Sequence, residues 1–77
     1  MNEWLSARAD ALAGRTGVDR DALELSQKEI DTLLELAGLA AHDSGARTNA
    51  PILCYMLGRA RAEASLDELE EIVRSTY

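Results

Sequence analysis

The stretch "SQKEIDTLLELAGLAA", residues 26–41, carries the clearest helix signal in the chain. Ser26 followed by Glu29 is a capping box, in which the serine and glutamate side chains satisfy exposed amides of a first helical turn. The apolar residues after it fall on one helical face at spacings of three and four, namely Ile30, Leu33, Leu34, Ala37 and Ala41. Leu36 and Leu39 widen this arc beyond what one neighbouring helix needs, which predicts a central helix or one that meets a partner.

The next stretch, "AAHDSGARTNAPI", residues 40–52, has the composition of a helix stop, a loop and a helix start. Gly45 suits the left-handed conformation that closes a helix. Thr48 or Asn49 is expected to cap the following helix, with Pro51 in its first turn, where a missing amide costs nothing. That helix is predicted over about residues 50–64, with one bulky apolar face formed by Ile52, Leu53, Met56, Leu57, Ala60 and Ala64.

Three further elements complete the expected fold. A helix over about residues 3–14 ends at Gly14 and Gly17, and Asp19 caps a single turn after it. Ser65 with Glu68 forms a second capping box that begins the last helix. The sequence therefore predicts one all-α domain over residues 1–77, a small four-helix bundle with an extra short helical turn.

Composition narrows the function classes. The chain has 77 residues and a net charge of −6, which argues against binding to nucleic acid or an anionic membrane. A core this small gives little net stability, and binding to another protein adds to it. We therefore expect a protein partner or a homodimer. The apolar stretches are shorter than the ~20 residues that span a bilayer, and the start resembles no signal peptide. We therefore expect a soluble, cytoplasmic protein.

No catalytic or metal-binding motif is present. One histidine and one cysteine cannot make a zinc site in a monomer, and no glycine-rich phosphate loop occurs. His42 projects near Glu35 on the polar side of its helix, and either bonds Asp43 or a carbonyl, or acts as a general base for which no nucleophile can be named. We expect a non-enzymatic protein with no cofactor.

Two candidate binding surfaces remain. Arg47, Thr48 and Asn49, with the helix-start amides and with Arg59 farther along, form a candidate anion site or a polar partner contact joined by His42. Helix capping alone also explains Thr48 and Asn49. An apolar interaction patch is predicted from Trp4, Leu36 and Leu39, although packing explains the tryptophan equally well.

Residues 31–62, "DTLLELAGLAAHDSGARTNAPILCYMLGRARA", resemble a family of small bacterial helical domains of unknown function that occur alone or appended to the molybdenum-cofactor guanylyltransferase. The matching residues are Asp31, Leu33, Leu34, Leu36, Ala37, Ala41, His42, Arg47, Ala50, Pro51 and Gly58. "MNEWL" and "TGVD" also look like the family's opening. Arg59 and Arg61 depart from the pattern, where smaller or apolar residues are expected. The resemblance implies a link to molybdenum-cofactor biosynthesis.

The leading hypothesis is an accessory interaction module that binds a protein partner through the 42–59 surface and neighbouring apolar residues. The alternative is a small-anion or nucleotide-cofactor binding protein that uses the loop 45–51 and the start of the helix after it.

Overall fold

A computed structural model describes residues 1–76, which form four α-helices and one short 3-10 turn. The elements in chain order are α1 (Glu3–Thr16), a 3-10 turn (Arg20–Leu23), α2 (Gln27–Asp43), α3 (Asn49–Ala60) and α4 (Leu66–Ser75). No strand occurs among these 76 residues, so the predicted all-α class with an extra helical turn is confirmed. The chain divides into two compact units, Met1–Ile30 and Asp31–Tyr77, and α2 begins in the first and continues into the second.

The first unit is held by caps and ion pairs. The Asn2 side chain accepts a hydrogen bond from the Leu5 amide at 2.8 Å, which begins α1. Gly17 ends this helix with a φ of 79°, so α1 passes through Gly14 and stops two residues later than predicted. Arg20 contacts Asp10 at 2.7 Å and Glu24 at 3.2 Å. The hydrogen bond to Asp10 raises the pKa of Arg20 above its ordinary value.

The predicted capping boxes differ in how completely they form. At the start of α2, the Glu29 amide donates to Ser26 Oγ at 3.1 Å and the Ser26 amide donates to Glu29 Oε1 at 2.9 Å. This is the reciprocal pair that the sequence predicts. At the start of α4, the Glu68 amide donates to Ser65 Oγ at 3.2 Å. Both serines therefore cap their helices as expected.

The core of the second unit lies among α2, α3 and α4. It is built around the buried leucines Leu36, Leu57 and Leu69, with Leu33, Leu39, Leu53, Ala60, Ala64 and Val73 packed against them. The prediction that Leu36 belongs to an exposed interaction patch is wrong, because its exposed fraction is 0%. Leu34, predicted to lie on the packed face, is 66% exposed. The apolar arc of α2 is wide enough to hold two parallel lines of apolar residues along the helix. The helices α3 and α4 pack on the line that contains Leu33 and Leu36.

The connection from α2 to α3 is closed by side chains. Gly45 adopts a φ of 74°, as predicted. Ser44 Oγ donates to the Ala40 carbonyl and accepts from Asn49 Nδ2 at 2.9 Å. Thr48 occupies the N-cap position of α3 with helical backbone angles and makes no side-chain capping bond. Neither predicted cap forms, because Thr48 is already helical and Asn49 reaches back to Ser44.

The end of α3 also differs from the prediction. The helix ends at Ala60, four residues before the expected end at residue 64. The Glu63 amide bonds the Ala60 carbonyl at 2.9 Å, and the Arg61 guanidinium donates to the Ala64 carbonyl at 3.3 Å. These bonds form a turn that leads into the Ser65 cap. Among residues 1–76, no helix combines the length and apolar content needed to cross a membrane.

Candidate functional site

An apolar groove opens in the second unit where α2 ends, α3 begins and α4 ends. Its volume is about 500 Å³. The apolar lining residues are Leu39, Ala40, Ile52, Leu53, Met56, Ile72 and Val73, and the polar ones are Asp43, Ser44, Asn49 and Thr76. More than half of the surface of Ile52, Met56 and Ile72 is exposed. Concave surfaces of this size with mostly apolar linings are where apolar ligands or partner side chains bind.

The floor of the groove is continuous with the core. Leu39, Leu53 and Val73 line the groove and also pack against the buried leucines. Each of α2, α3 and α4 therefore contributes one side chain that is held from behind by the core. A surface supported in this way keeps its shape when a partner binds, which lowers the entropy cost of binding.

The way α3 is rotated about its own axis leaves one strip of its apolar residues at the wall of the groove. Leu53, Leu57 and Ala60 belong to the core, whereas Ile52 and Met56 lie beside them at the groove. The sequence assigned all of these residues to a single packed face. The signal that could have separated them is the width of that face, which exceeds what one neighbouring helix covers.

The polar end of the groove is negatively charged. Asp43 lies there together with Ser44 and Asn49. The groove is lined by the last turns of α2 and α4, and a helix C-terminus carries a partial negative charge. The first turn of α3 contributes one partial positive charge, which offsets only part of the negative charge of the two helix C-termini. The arrangement favours a cationic group near Asp43.

His42 lines a separate shallow depression with Glu35, Gly38, Leu39, Asp43 and Arg74. Its side chain is 88% exposed, and its Nδ1 lies 3.1 Å from Asp43 Oδ1, one of the two arrangements expected from the sequence. Arg74 bridges Glu35 at 3.2 Å and Glu70 at 3.0 Å. No serine, threonine or cysteine of the described residues lines this depression. The lining of this depression therefore does not include a nucleophile beside His42.

The predicted anion-binding residues are divided among different surfaces, with Asn49 in the groove and His42 in the shallow depression. Arg47, Thr48 and Arg59 are exposed, and none of them lines the groove or the His42 depression. The Asn49 amide bonds the Ala46 carbonyl at 3.0 Å, and the Ala50 amide bonds the Arg47 carbonyl at 3.2 Å. Pro51 has no amide hydrogen to donate. The first-turn donors on which an anion site relies are therefore engaged or absent.

The three residues of the predicted apolar patch have different surroundings. Leu39 lies in the groove, Leu36 lies in the core, and Trp4 belongs to the first unit. Trp4 is 65% exposed, with the Arg8 guanidinium 4.9 Å from its ring centroid. The exposed apolar lining of the groove comes from Ile52, Met56 and Ile72, which the sequence analysis did not name as site residues. Cys54 is half-buried, and no three potential metal ligands cluster within residues 1–76.

Comparison with known proteins identifies one family. A family described as "Domain of unknown function (DUF6457)" matches residues 1–76, and the chain belongs to this family. No curated protein matches the chain. No solved structure matches it either.

Proposed function

We propose that this member of the DUF6457 family is a non-enzymatic protein-interaction module whose apolar groove receives side chains of a protein partner. The observation that carries the proposal is the exposure of Ile52, Met56 and Ile72 around one concave surface. Partner side chains that fill such a surface displace water from both proteins, and this burial is the main source of binding free energy.

The surroundings of the groove support this proposal over catalysis or anion binding. Asp43, Ser44 and Asn49 lie together where α2 ends and α3 begins, so a partner would bury apolar atoms along α3 and meet Asp43 at the rim. His42 stands next to this rim and Arg47 lies in the connection that follows it. Polar groups at the edge of an interface adjust orientation and specificity, and contribute less to affinity than the buried centre.

We further propose that the partner acts in molybdenum-cofactor biosynthesis in the cytoplasm, and is the guanylyltransferase to which similar domains are appended. The support is the resemblance of residues 31–62 to that family of small helical domains. Under this proposal the isolated chain docks onto the enzyme in the way that an appended domain would.

An NMR titration of the nitrogen-15-labelled chain tests both parts. Phosphate and guanine nucleotides are added first, then the guanylyltransferase. We expect no saturable shifts with the small ligands, and broadening of the Ile52, Met56 and Ile72 amides with the enzyme. The Met56→Asp variant should lose this response, because a carboxylate in an apolar interface costs desolvation energy, whereas Arg15→Glu in α1 should keep it.

Three outcomes would contradict the proposal. Saturable shifts at residues 46–52 with phosphate alone would favour the anion-binding alternative. An unchanged response of Met56→Asp would exclude the groove as the docking surface. No response to the enzyme would remove the guanylyltransferase as the partner.

A further inference from the structure

A line of exposed side chains runs along α3 beside the groove. Ile52, Tyr55, Met56 and Arg59 follow one another at the spacing of a helix seam, and all four are exposed. The exposed fraction of Tyr55 is 69%. Ile52 and Met56 also line the groove, so the seam and the groove form one surface. A second helix lying along this seam would close the groove.

We propose that the occupant is α3 of a second copy of this chain, with the two helices antiparallel about a two-fold axis. The inference rests on the proposed function in taking the groove as a docking surface, and it adds self-association of the chain through that same surface. A two-fold interface uses the same patch on both copies, so each contact is made twice. A chain of 77 residues gains stability from such burial, because its own core is small.

The spacing of the exposed residues along α3 determines how the two α3 helices are aligned along each other. A two-fold axis between Tyr55 and Met56 places each Tyr55 against Met56 of the second copy, and each Ile52 against Arg59 of the second copy. A methionine sulfur beside an aromatic ring is a favourable contact. Each Met56 then lies at the mouth of the second copy's groove, where its flexible side chain can enter the apolar space.

Charge complementarity selects this arrangement over a parallel one. None of the ion pairs among the described residues involves Arg59. In the antiparallel arrangement Arg59 lies beside Ile52 of the second copy, about one turn from Asn49 and the negative polar end of that groove, where Asp43 lies. A parallel pair in register would instead place Arg59 against Arg59. Each copy carries a net charge of −6, and an opposite-charge contact of this kind offsets part of the repulsion between the two copies.

Analytical ultracentrifugation of the full chain tests the proposal over concentrations from roughly 1 µM to 1 mM. We expect a reversible monomer–dimer equilibrium. Met56→Asp should raise the dissociation constant roughly 30-fold or more, since it removes a central apolar contact. Arg59→Glu and Asp43→Arg should each raise it about tenfold or more, and the variant carrying both changes should return within about threefold of the wild type. Circular dichroism checks that each variant keeps its helices.

Arg15→Glu is the matched control, because it makes the same charge change on α1 and should leave the dissociation constant unchanged. A monomer at every concentration, or an equal effect of Arg15→Glu and Arg59→Glu, would overturn the proposal. If the dissociation constant of the double variant does not return toward the wild-type value, the antiparallel arrangement of the two α3 helices is wrong.

The outcomes separate this inference from the proposed function. If the chain is monomeric but Met56→Asp still abolishes binding of the guanylyltransferase, the self-association fails and the interaction module stands. If Met56→Asp changes neither dimerisation nor partner binding, both fail.

Discussion

The substitution Leu36→Ala tests which face of α2 forms the core. Leu36 is 0% exposed and contacts the cluster built with Leu57 and Leu69. The change removes three carbons at about 0.8 kcal/mol each, and the cavity left behind brings the loss to about 3 kcal/mol. A core of this size supplies only about 3–5 kcal/mol of net stability. The variant should therefore be close to unfolded.

The assay is urea and thermal unfolding followed by far-ultraviolet circular dichroism, with Leu34→Ala as the matched control on the same helix. Leu34 is 66% exposed, so we expect its truncation to cost less than about 1 kcal/mol. At about 4–8 °C per kcal/mol, Leu36→Ala should lower the melting temperature by roughly 12–24 °C. A loss for Leu34→Ala that equals or exceeds the loss for Leu36→Ala would refute the core described above.

Two further comparisons test the local structure. Gly45 has a φ of 74°, so Gly45→Ala should lower the free energy of unfolding by about 1 kcal/mol, whereas Gly58→Ala, in the interior of α3 with open space around the added Cβ, should raise it by about 0.5–1 kcal/mol. Equal effects in chemical denaturation would contradict the assigned backbone. Ser26→Ala and Ser65→Ala should each cost about 1 kcal/mol in the same assay, because each removes a capping bond; a neutral result at either serine would show that its cap contributes nothing.

Local signals in the sequence predicted most of the elements. The Ser26 and Ser65 caps, the Asp19 turn and the left-handed Gly45 all appear where the sequence places them. These features depend on hydrogen bonds and backbone preferences within a few residues, which is why they can be read from short segments. Among the predicted N-terminal caps, the start of α3 was the exception, because Asn49 bonds Ser44 instead of capping its own helix.

Residue type and spacing are enough to predict an all-α chain with four helices and one extra turn. Which of the nearby leucines of α2 is buried depends on tertiary packing, which places Leu36 in the core and leaves Leu34 exposed. It also divided the apolar face of α3, assigning Leu53 and Leu57 to the core and Ile52 and Met56 to the groove. The physical reason is that periodicity gives the width of an apolar arc, whereas the part of the arc that is covered depends on where neighbouring helices pack.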